Sequence, residues 1–258
     1  MMEDPPRLEL ETEMELAAAV QRALLNGEIP DCQCGKMVLK NRMSVQVGGD
    51  FYHFRQLGQD QVAFAIGDVV GHGMGSALIM SLIMGTLRSN IQDSRRPSRM
   101  VEQVNNLLVK LSRQLEQYIT CSMIYGVVDL PSGVLLYVNA GHPYPIVCNR
   151  EEEGCQELRP TTMLLGVQQG VQSESCHQFH QNDRVVLYTD GITEASNANE
   201  DPFSDNRLKE IVCSSRQESP DVLARRVFEE VDAYSGREQC EDDQTLVVID
   251  FDLVTEGI

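Results

Sequence analysis

No stretch of this chain approaches the roughly 20 consecutive apolar residues that a bilayer-spanning helix needs, so no membrane span is expected. Basic residues are scarce: 21 Lys and Arg stand against 39 Asp and Glu, a formal charge of −18 with a pI near 4.6. A surface of that sign repels nucleic acid and anionic lipid, which argues against partners of either kind. The short basic runs, Lys36, Lys40 and Arg42, then Arg95, Arg96 and Arg99, are isolated. They read as solvated faces or as guides for an anionic substrate. The start, Met1-Met2-Glu3-Asp4-Pro5-Pro6, lacks the basic-then-apolar layout of a secretory leader. None of the eight cysteines stands in C-x-x-C spacing, Cys32 and Cys34 being the only close pair, which argues against a structural zinc site. Reduced thiols in a cytoplasmic protein are the expectation.

There is also no internal repeat, no low-complexity linker and no Pro/Gly-rich boundary. At 258 residues the chain can bury a substantial core, as one large domain or a domain plus an extension. The one candidate division falls near residue 28, giving a connector helix over 1–28 and a main domain over 29–258. Residues 8–26 carry strong helix formers with apolar positions at Leu10, Met14, Ala17 and Leu24, and Asn26-Gly27 is a plausible stop. Gln21 interrupts what would otherwise be a coiled-coil seam. Packing on its own domain, dimer formation and signal transmission all fit such a helix.

Further on, 36–40 and 43–47 look extended, and 51–57 and 62–67 read as a strand pair through the turn at 58–61. A helix over 76–87 is apolar nearly all round, which predicts a position sandwiched between other elements. Another helix is expected over 98–117, from Met100, Val101, Val104, Leu107, Leu108 and Leu111. Strands follow at 121–129, 133–139 and 145–149, a polar hairpin or loop at 150–157, and a strand at 184–189. After a loop at 196–206, helices at 207–216 and 220–234 precede a final strand at 245–252. Antiparallel-looking strands with segregated helices indicate an α+β layered fold, not a doubly wound parallel sheet.

The chemistry-bearing signal is a set of four short aspartate motifs: Gly48-Gly49-Asp50, Gly67-Asp68-Val69, Thr189-Asp190-Gly191 and Asp242-Asp243-Gln244-Thr245. Each sets a carboxylate where an apolar run ends or turns. One Asp beside one Gly is ordinarily a turn; four such motifs at strand ends, where distant residues meet, read as the pieces of one site. Gathered, partly buried carboxylates repel one another and lose hydration, a cost met by a bound cation or by raised pKa values. Oxygen ligands without a His/Cys set favour Mg²⁺, Mn²⁺ or Ca²⁺ over Zn²⁺. Two such ions suit attack of activated water on a phosphate ester.

In this order the motifs resemble the SpoIIE-type branch of the PPM, or type 2C, metal-dependent serine/threonine protein phosphatases. The residues that carry the resemblance are Val47 to Tyr52, Ile66 to Val69 with Gly71-His72-Gly73, Asn139-Ala140-Gly141-His142, Leu187 to Ala195, and Asp242 to Leu246. It spans about residues 8–252. The resemblance implies an αββα sandwich, two antiparallel sheets flanked by helical layers, with two ions, Mn²⁺ or Mg²⁺, at one end. By motif, Asp68 would bridge both ions, Val69 would offer its carbonyl, and Asp50 would act directly or through water; Asp50 and Asp68 form the catalytic core. Asp190 and Asp242 would complete the second site, with Asp243 ranked below Asp242 and behind the ligands. Metal-activated hydroxide would then attack phosphoserine or phosphothreonine with no phosphoenzyme, so no nucleophilic Ser or Cys is needed. No Cys-x5-Arg loop is present to offer one.

The chain departs from many type 2C enzymes in lacking a histidine two residues after the bridging aspartate, where Val70 stands, and an upstream arginine before Asp50. The general acid and the phosphate anchor are therefore unassigned. His72 is a candidate acid, since imidazole titrates near neutrality, or it caps the next helix or faces solvent; His142 reads as a packing or supporting residue more readily than a ligand. By family habit the substrate would be a bacterial signalling regulator, such as an anti-sigma-factor antagonist of STAS type. An upstream sensor or a separate regulator would act through residues 8–26, which also offer a route to a homodimer. Two other readings compete: a catalytically silent scaffold that binds a phosphoprotein, and a two-metal phosphodiesterase or nuclease, which the charge disfavours for nucleic acid.

Overall fold

Apolar runs such as Val62 to Ile66 and Leu246 to Ile249 carry apolar side chains at successive positions, which on a strand requires cover on both faces. The computed structural model, which describes residues 5–26, 35–170, 173–237 and 239–252, supplies that cover with four layers. Two five-stranded sheets lie face to face, and every strand pairing is antiparallel. The first sheet runs β2 (Phe51–Gln56), β3 (Gln61–Val69), β4 (Cys121–Asp129), β5 (Val134–Ala140), β8 (Ser175–Gln178). The second runs β1 (Met37–Arg42), β10 (Gln244–Asp250), β9 (Asp183–Tyr188), β6 (Ile146–Asn149), β7 (Cys155–Glu157).

Alternation along each strand sorts the core into three slabs. Val62, Phe64 and Ile66 of β3 meet Val185, Leu187, Val247 and Ile249 between the sheets. Ala63, Ala65 and Val69 face the other way, under α2 (Met74–Ser89) and α3 (Pro97–Leu115). Leu246, Val248, Val186 and Tyr188 pack beneath α5 (Asp205–Ser214) and α6 (Pro220–Ser235). The expected α+β sandwich is present, with helices outside both sheets. The N-terminal helix, α1 (Pro5–Leu25), ends one residue before Asn26 and packs on α2 and β2. The boundary near residue 28 falls in the segment 27–34, outside the described residues. No helix among the described residues is long and apolar enough to cross a membrane.

Four local expectations are corrected. Residues 43–47 are not a strand: the N–H and hydroxyl of Ser44 both donate to Asp243 Oδ1, at 2.9 and 3.1 Å, which turns the chain toward the carboxylates. Strand β8 was not expected, because Ser175 to Gln178 is a half-exposed edge with no apolar alternation. Helix α2 is not sandwiched, for Leu78 and Leu82 on its outer side are 60% and 48% exposed. Finally, Cys155 of β7 and Cys213 of α5 are joined as a disulfide across 58 residues, where free thiols were expected. Cys121, Cys148, Cys176 and Cys240 are free.

One charged group is fully enclosed. Arg184, in the middle of the second sheet, is 0% exposed and holds Asp250 through two bonds of 2.6 and 2.9 Å. Its remaining N–H groups donate to the carbonyls of Ser215 and Glu218 at 3.2 and 2.6 Å, which pins the α5–α6 turn to the sheet. Without Arg184, Asp250 would keep only the longer contact to Arg150 at 3.5 Å, and loss of one partner of a buried, bonded pair is costly. Arg184→Met is therefore expected to cost about 3–5 kcal/mol in urea unfolding, and the double variant Arg184→Met/Asp250→Leu to recover part of that loss.

Candidate metal centre

Asp68 closes β3, Asp50 precedes β2, Asp190 follows β9 and Asp242 precedes β10, so antiparallel pairing brings all four to one end of the sandwich. Asp50 sits deepest, 1% exposed, between the sheets. Its Oδ2 accepts the hydroxyls of Thr189 and Thr245, at 2.8 and 2.5 Å, both from the opposite sheet. Each threonine oxygen also accepts once: Thr189 from the Thr245 N–H at 2.9 Å, Thr245 from Asn41 Nδ2 at 2.8 Å. Those bonds orient the hydroxyls toward Asp50.

The two glycines before Asp50 are required by close approach. A Cβ on Gly49 would stand 2.7 Å from both Asp68 Oδ1 and the Val69 carbonyl oxygen, inside contact distance, so these two oxygens crowd the same spot. A Cβ on Gly48 would overlap the carboxylate of Asp243. Asp243 itself is fully engaged, its Oδ2 accepting the Gly49 N–H at 2.9 Å and its Oδ1 holding Ser44. Through these bonds it braces the Gly48 to Asp50 loop.

Burial is the main cause of the electrostatics. It pushes Asp50 up to about 8, the two threonine hydroxyls opposing and Asp243 and Asp190 adding to the rise. Asp68 is pushed up to about 9 by burial, then by Asp50, Asp190, Asp242 and Asp243. Asp190 is raised by burial and by Asp242. At the exposed rim Asp242 is raised by partial burial, with its bond from the Asp243 N–H and the nearby His72 opposing. Among the described residues no three His, Cys, Asp or Glu side chains have closed into a ready-made ligand cage. What the site offers is an all-oxygen donor set, desolvated and mutually repelling, and that chemistry fits hard divalent cations.

His72 is exposed in the loop before α2, where Gly73 holds the N-cap position with no side-chain cap. His142 is 1% exposed, with Nδ1 2.9 Å from Ser122 Oγ and its N–H donating to Asn139 Oδ1; burial drives its imidazole down to about 3. It packs the neighbouring turn. Three contributors went unassigned in the sequence: Thr189 and Thr245, which stand inside the motifs, and Gln21, whose signal was a polar residue on an apolar helix stripe. Glu194, on the rim, is raised by burial and by Asp190.

A double antiparallel sheet between helical layers, with aspartates converging at one end, is the architecture of PP2C-type phosphatase domains. The chain belongs to the Stage II sporulation protein E (SpoIIE) family, which it matches over residues 58–252. It is 27% identical to phosphoserine phosphatase RsbU of Bacillus subtilis over 245 residues, 93% of this chain and 70% of that protein. To phosphoserine phosphatase RsbP of the same organism it is 29% identical over 191 residues, 72% of this chain and 46% of RsbP. The SiaA PP2C domain of Pseudomonas aeruginosa shares the fold with a TM-score of 0.84 at 19% identity, over 96% of this chain and 99% of that one. The family is metal-dependent.

Raised carboxylates carry a stability consequence of definite sign. Asp50 and Asp68 keep protons in the folded chain that the unfolded chain has lost above about pH 4. Stability therefore falls as pH rises toward their folded values of about 8 and 9. The buried His53 of β2 and His142, depressed by burial to about 4 and 3, act in the opposite sense but only below about pH 6.5. In EDTA the melting temperature should thus drop between pH 6.5 and 8, and Mn²⁺ should raise it by an increment that grows with pH. A flat calorimetric profile with no metal effect would remove the basis for a cation site.

Proposed function

We propose that this chain hydrolyses phosphoserine or phosphothreonine in a protein substrate, using the aspartate cluster to hold two divalent ions, Mn²⁺ or Mg²⁺. The observation that carries the reading is the convergence of Asp50, Asp68, Asp190 and Asp242, desolvated and raised by one another, on one end of the sandwich. When bound, such ions neutralise charge on the phosphoryl oxygens and acidify the attacking water. Asp68 and the Val69 carbonyl, crowded together beside Gly49, would both help to hold the ions in this reading. Asp50 lends its free oxygen from below, since Oδ2 is engaged by the two threonines. Asp190 and Asp242 hold the outer side, and Asp243 keeps the Gly48 to Asp50 loop in place.

Substrate preference follows from charge and kinship. A chain at −18 disfavours nucleic-acid phosphodiesters, and the relatives RsbU and RsbP are phosphoserine phosphatases by name. A phosphorylated signalling regulator of STAS type is the substrate we assign, with residues 1–28 as the connector to a sensor, a regulator or a second copy and 29–258 as the catalytic domain. Intact carboxylates at all four motifs speak against a silent scaffold, which has no use for mutually repelling buried acids.

The deciding assay is phosphate release from a phosphoserine protein, an aryl phosphate and a phosphodiester, each with Mn²⁺, Mg²⁺ or EDTA. Release is expected from the phosphoserine protein with either metal and not in EDTA. Asp68→Asn should lower it by about a thousandfold or more, some 4 kcal/mol of transition-state stabilisation. Metal binding without release from any substrate would favour the scaffold, and preference for the phosphodiester would overturn the phosphatase reading.

A further inference from the structure

Three cysteines, far apart in the sequence, meet on one face of the second sheet. Cys155 of β7 is bonded to Cys213 of α5, with their Cα atoms 6.3 Å apart. Cys148 of β6 is free and buried, 2% exposed. It is the direct partner of Cys155 in the antiparallel pairing of β6 with β7. Residues directly opposite on paired strands project to the same face. Here that face is the slab beneath α5, where Cys148 is a core member and Cys155 packs against it.

The hydrogen-bond pattern fixes how close the two come. The Leu158 N–H donates to the Pro145 carbonyl at 3.0 Å, which makes Pro145 and Leu158 a hydrogen-bonded pair. Such pairs alternate with non-hydrogen-bonded ones along an antiparallel ladder. The register sets Ile146 against Glu157, Val147 against Gln156 and Cys148 against Cys155, so the two cysteines form a non-hydrogen-bonded pair. That is the closer kind, with Cα atoms about 4.5 Å apart. Disulfides span Cα distances of about 4.4 to 6.8 Å. Cys155 thus stands within bonding range of two partners, Cys213 on the helix and Cys148 on the neighbouring strand. Cys148 and Cys155 also line one cavity of about 420 Å³, which leaves the hairpin room to adjust.

We propose that Cys148, Cys155 and Cys213 form a thiol–disulfide exchange site, in which Cys155 changes partner from Cys213 to Cys148. The Cys148 thiolate attacks Cys155 Sγ, and the Cys148–Cys155 bond forms as the Cys155–Cys213 bond breaks. Cys213 leaves as a thiolate and takes up the proton that Cys148 released, so no oxidant or reductant is consumed. The step moves the crosslink: in the first state it ties β7 to α5 across 58 residues of sequence, and in the second it closes only the β6–β7 hairpin. Helix α5 is then held by the packing of Leu208, Ile211 and Val212 and by Lys209, whose ammonium meets Glu157 at 2.6 Å. Its first residue, Asp205, lines the same cleft as Asp190, so the exchange loosens one wall beside the aspartate centre. Burial sets the pace. It pushes the Cys148 thiol up to about 11, with Arg184 opposing, Asp250 and Asp183 adding and Arg216 opposing. The attacking thiolate is therefore scarce at neutral pH and about tenfold more abundant for each unit of pH gained.

The test incubates the whole, unreduced chain with excess iodoacetamide, which alkylates Cys213 irreversibly once it leaves and so draws the exchange forward. Proteolysis after an acid quench, followed by mass spectrometry, reads the pairing, since cleavage after Arg150 separates Cys148 from Cys155. The expected product is a Cys148–Cys155 bridge with alkylated Cys213, accumulating over minutes to hours. Its rate should rise about tenfold per pH unit between about 7.5 and 9. Cys148→Ala, checked for folding by circular dichroism, should keep the Cys155–Cys213 bridge throughout. Alkylation of Cys213 in that variant at the unmodified rate overturns the proposal, because the bridge then opens without Cys148. So does a bridge in the unmodified chain that stays between Cys155 and Cys213 for a day, or alkylation of Cys155 and Cys213 alike, which leaves no bridge to exchange. Should Cys148→Ala fail to fold, the identity of the bridge in the unmodified chain decides the matter alone.

Discussion

The carboxylate of Asp50, accepting hydroxyls from Thr189 and Thr245, is the interaction on which the functional end of this sandwich depends. Asp50 leads into β2 of the first sheet, while Thr189 follows β9 and Thr245 lies in β10 of the second, so the bond pair closes the two sheets where the apolar slab between them runs out. Each hydroxyl is itself an acceptor, from Asn41 and from the Thr245 N–H, and a chain of donors oriented this way is polarised toward the acid. Closing the sheets also removes water from Asp50, the first cause of its raised pKa. The same contact therefore joins the layers and creates a carboxylate in want of a cation.

Glycine carries the second half of that arrangement. A sheet end crowded with acids leaves no room for side chains on the intervening backbone, and Gly48, Gly49 and Gly191 each bring main chain within contact of Asp243 or Asp68. Gly191 meets the Asp243 carbonyl itself, while Gln244 donates to the Gly191 carbonyl at 2.9 Å. The glycines in these motifs are thus required by the approach of carboxylates and carbonyls, which a reading of Gly-Asp as a generic turn does not anticipate.

That distinction marks what was legible in the sequence. The aspartates were legible because each ends an apolar strand, and strand ends are visible as breaks in hydrophobic runs. The layered fold was legible for the same reason, through doubly apolar strands such as β3 and β10. What escaped depends on contacts far apart in sequence: Ser44 turns under Asp243, β8 is recruited to an edge by pairing with β5, and Cys155 finds Cys213 only once α5 lies over β7. Helix α2 misled in a different way. Its apolar residues at Leu78 and Leu82 remain exposed, so hydrophobicity around the whole circumference did not mean burial around it.

The charge of the site fixes an order of events for the function proposed. A phosphate monoester approaching within about 5 Å of an ionised carboxylate meets on the order of 3 kcal/mol of repulsion at an effective dielectric near 20. Asp50 and Asp68, raised to about 8 and 9, add to that repulsion only once they ionise, at higher pH or as a cation binds. The two arginines that flank the Asp50 loop in sequence are engaged elsewhere, Arg42 with Gln244 and with Asp232 at 2.7 Å and Arg55 with the Arg88 carbonyl at 2.6 Å. An ionised cluster therefore admits phosphate only with cations seated among the aspartates, so that cation binding, which ionises Asp50 and Asp68, and substrate access go together.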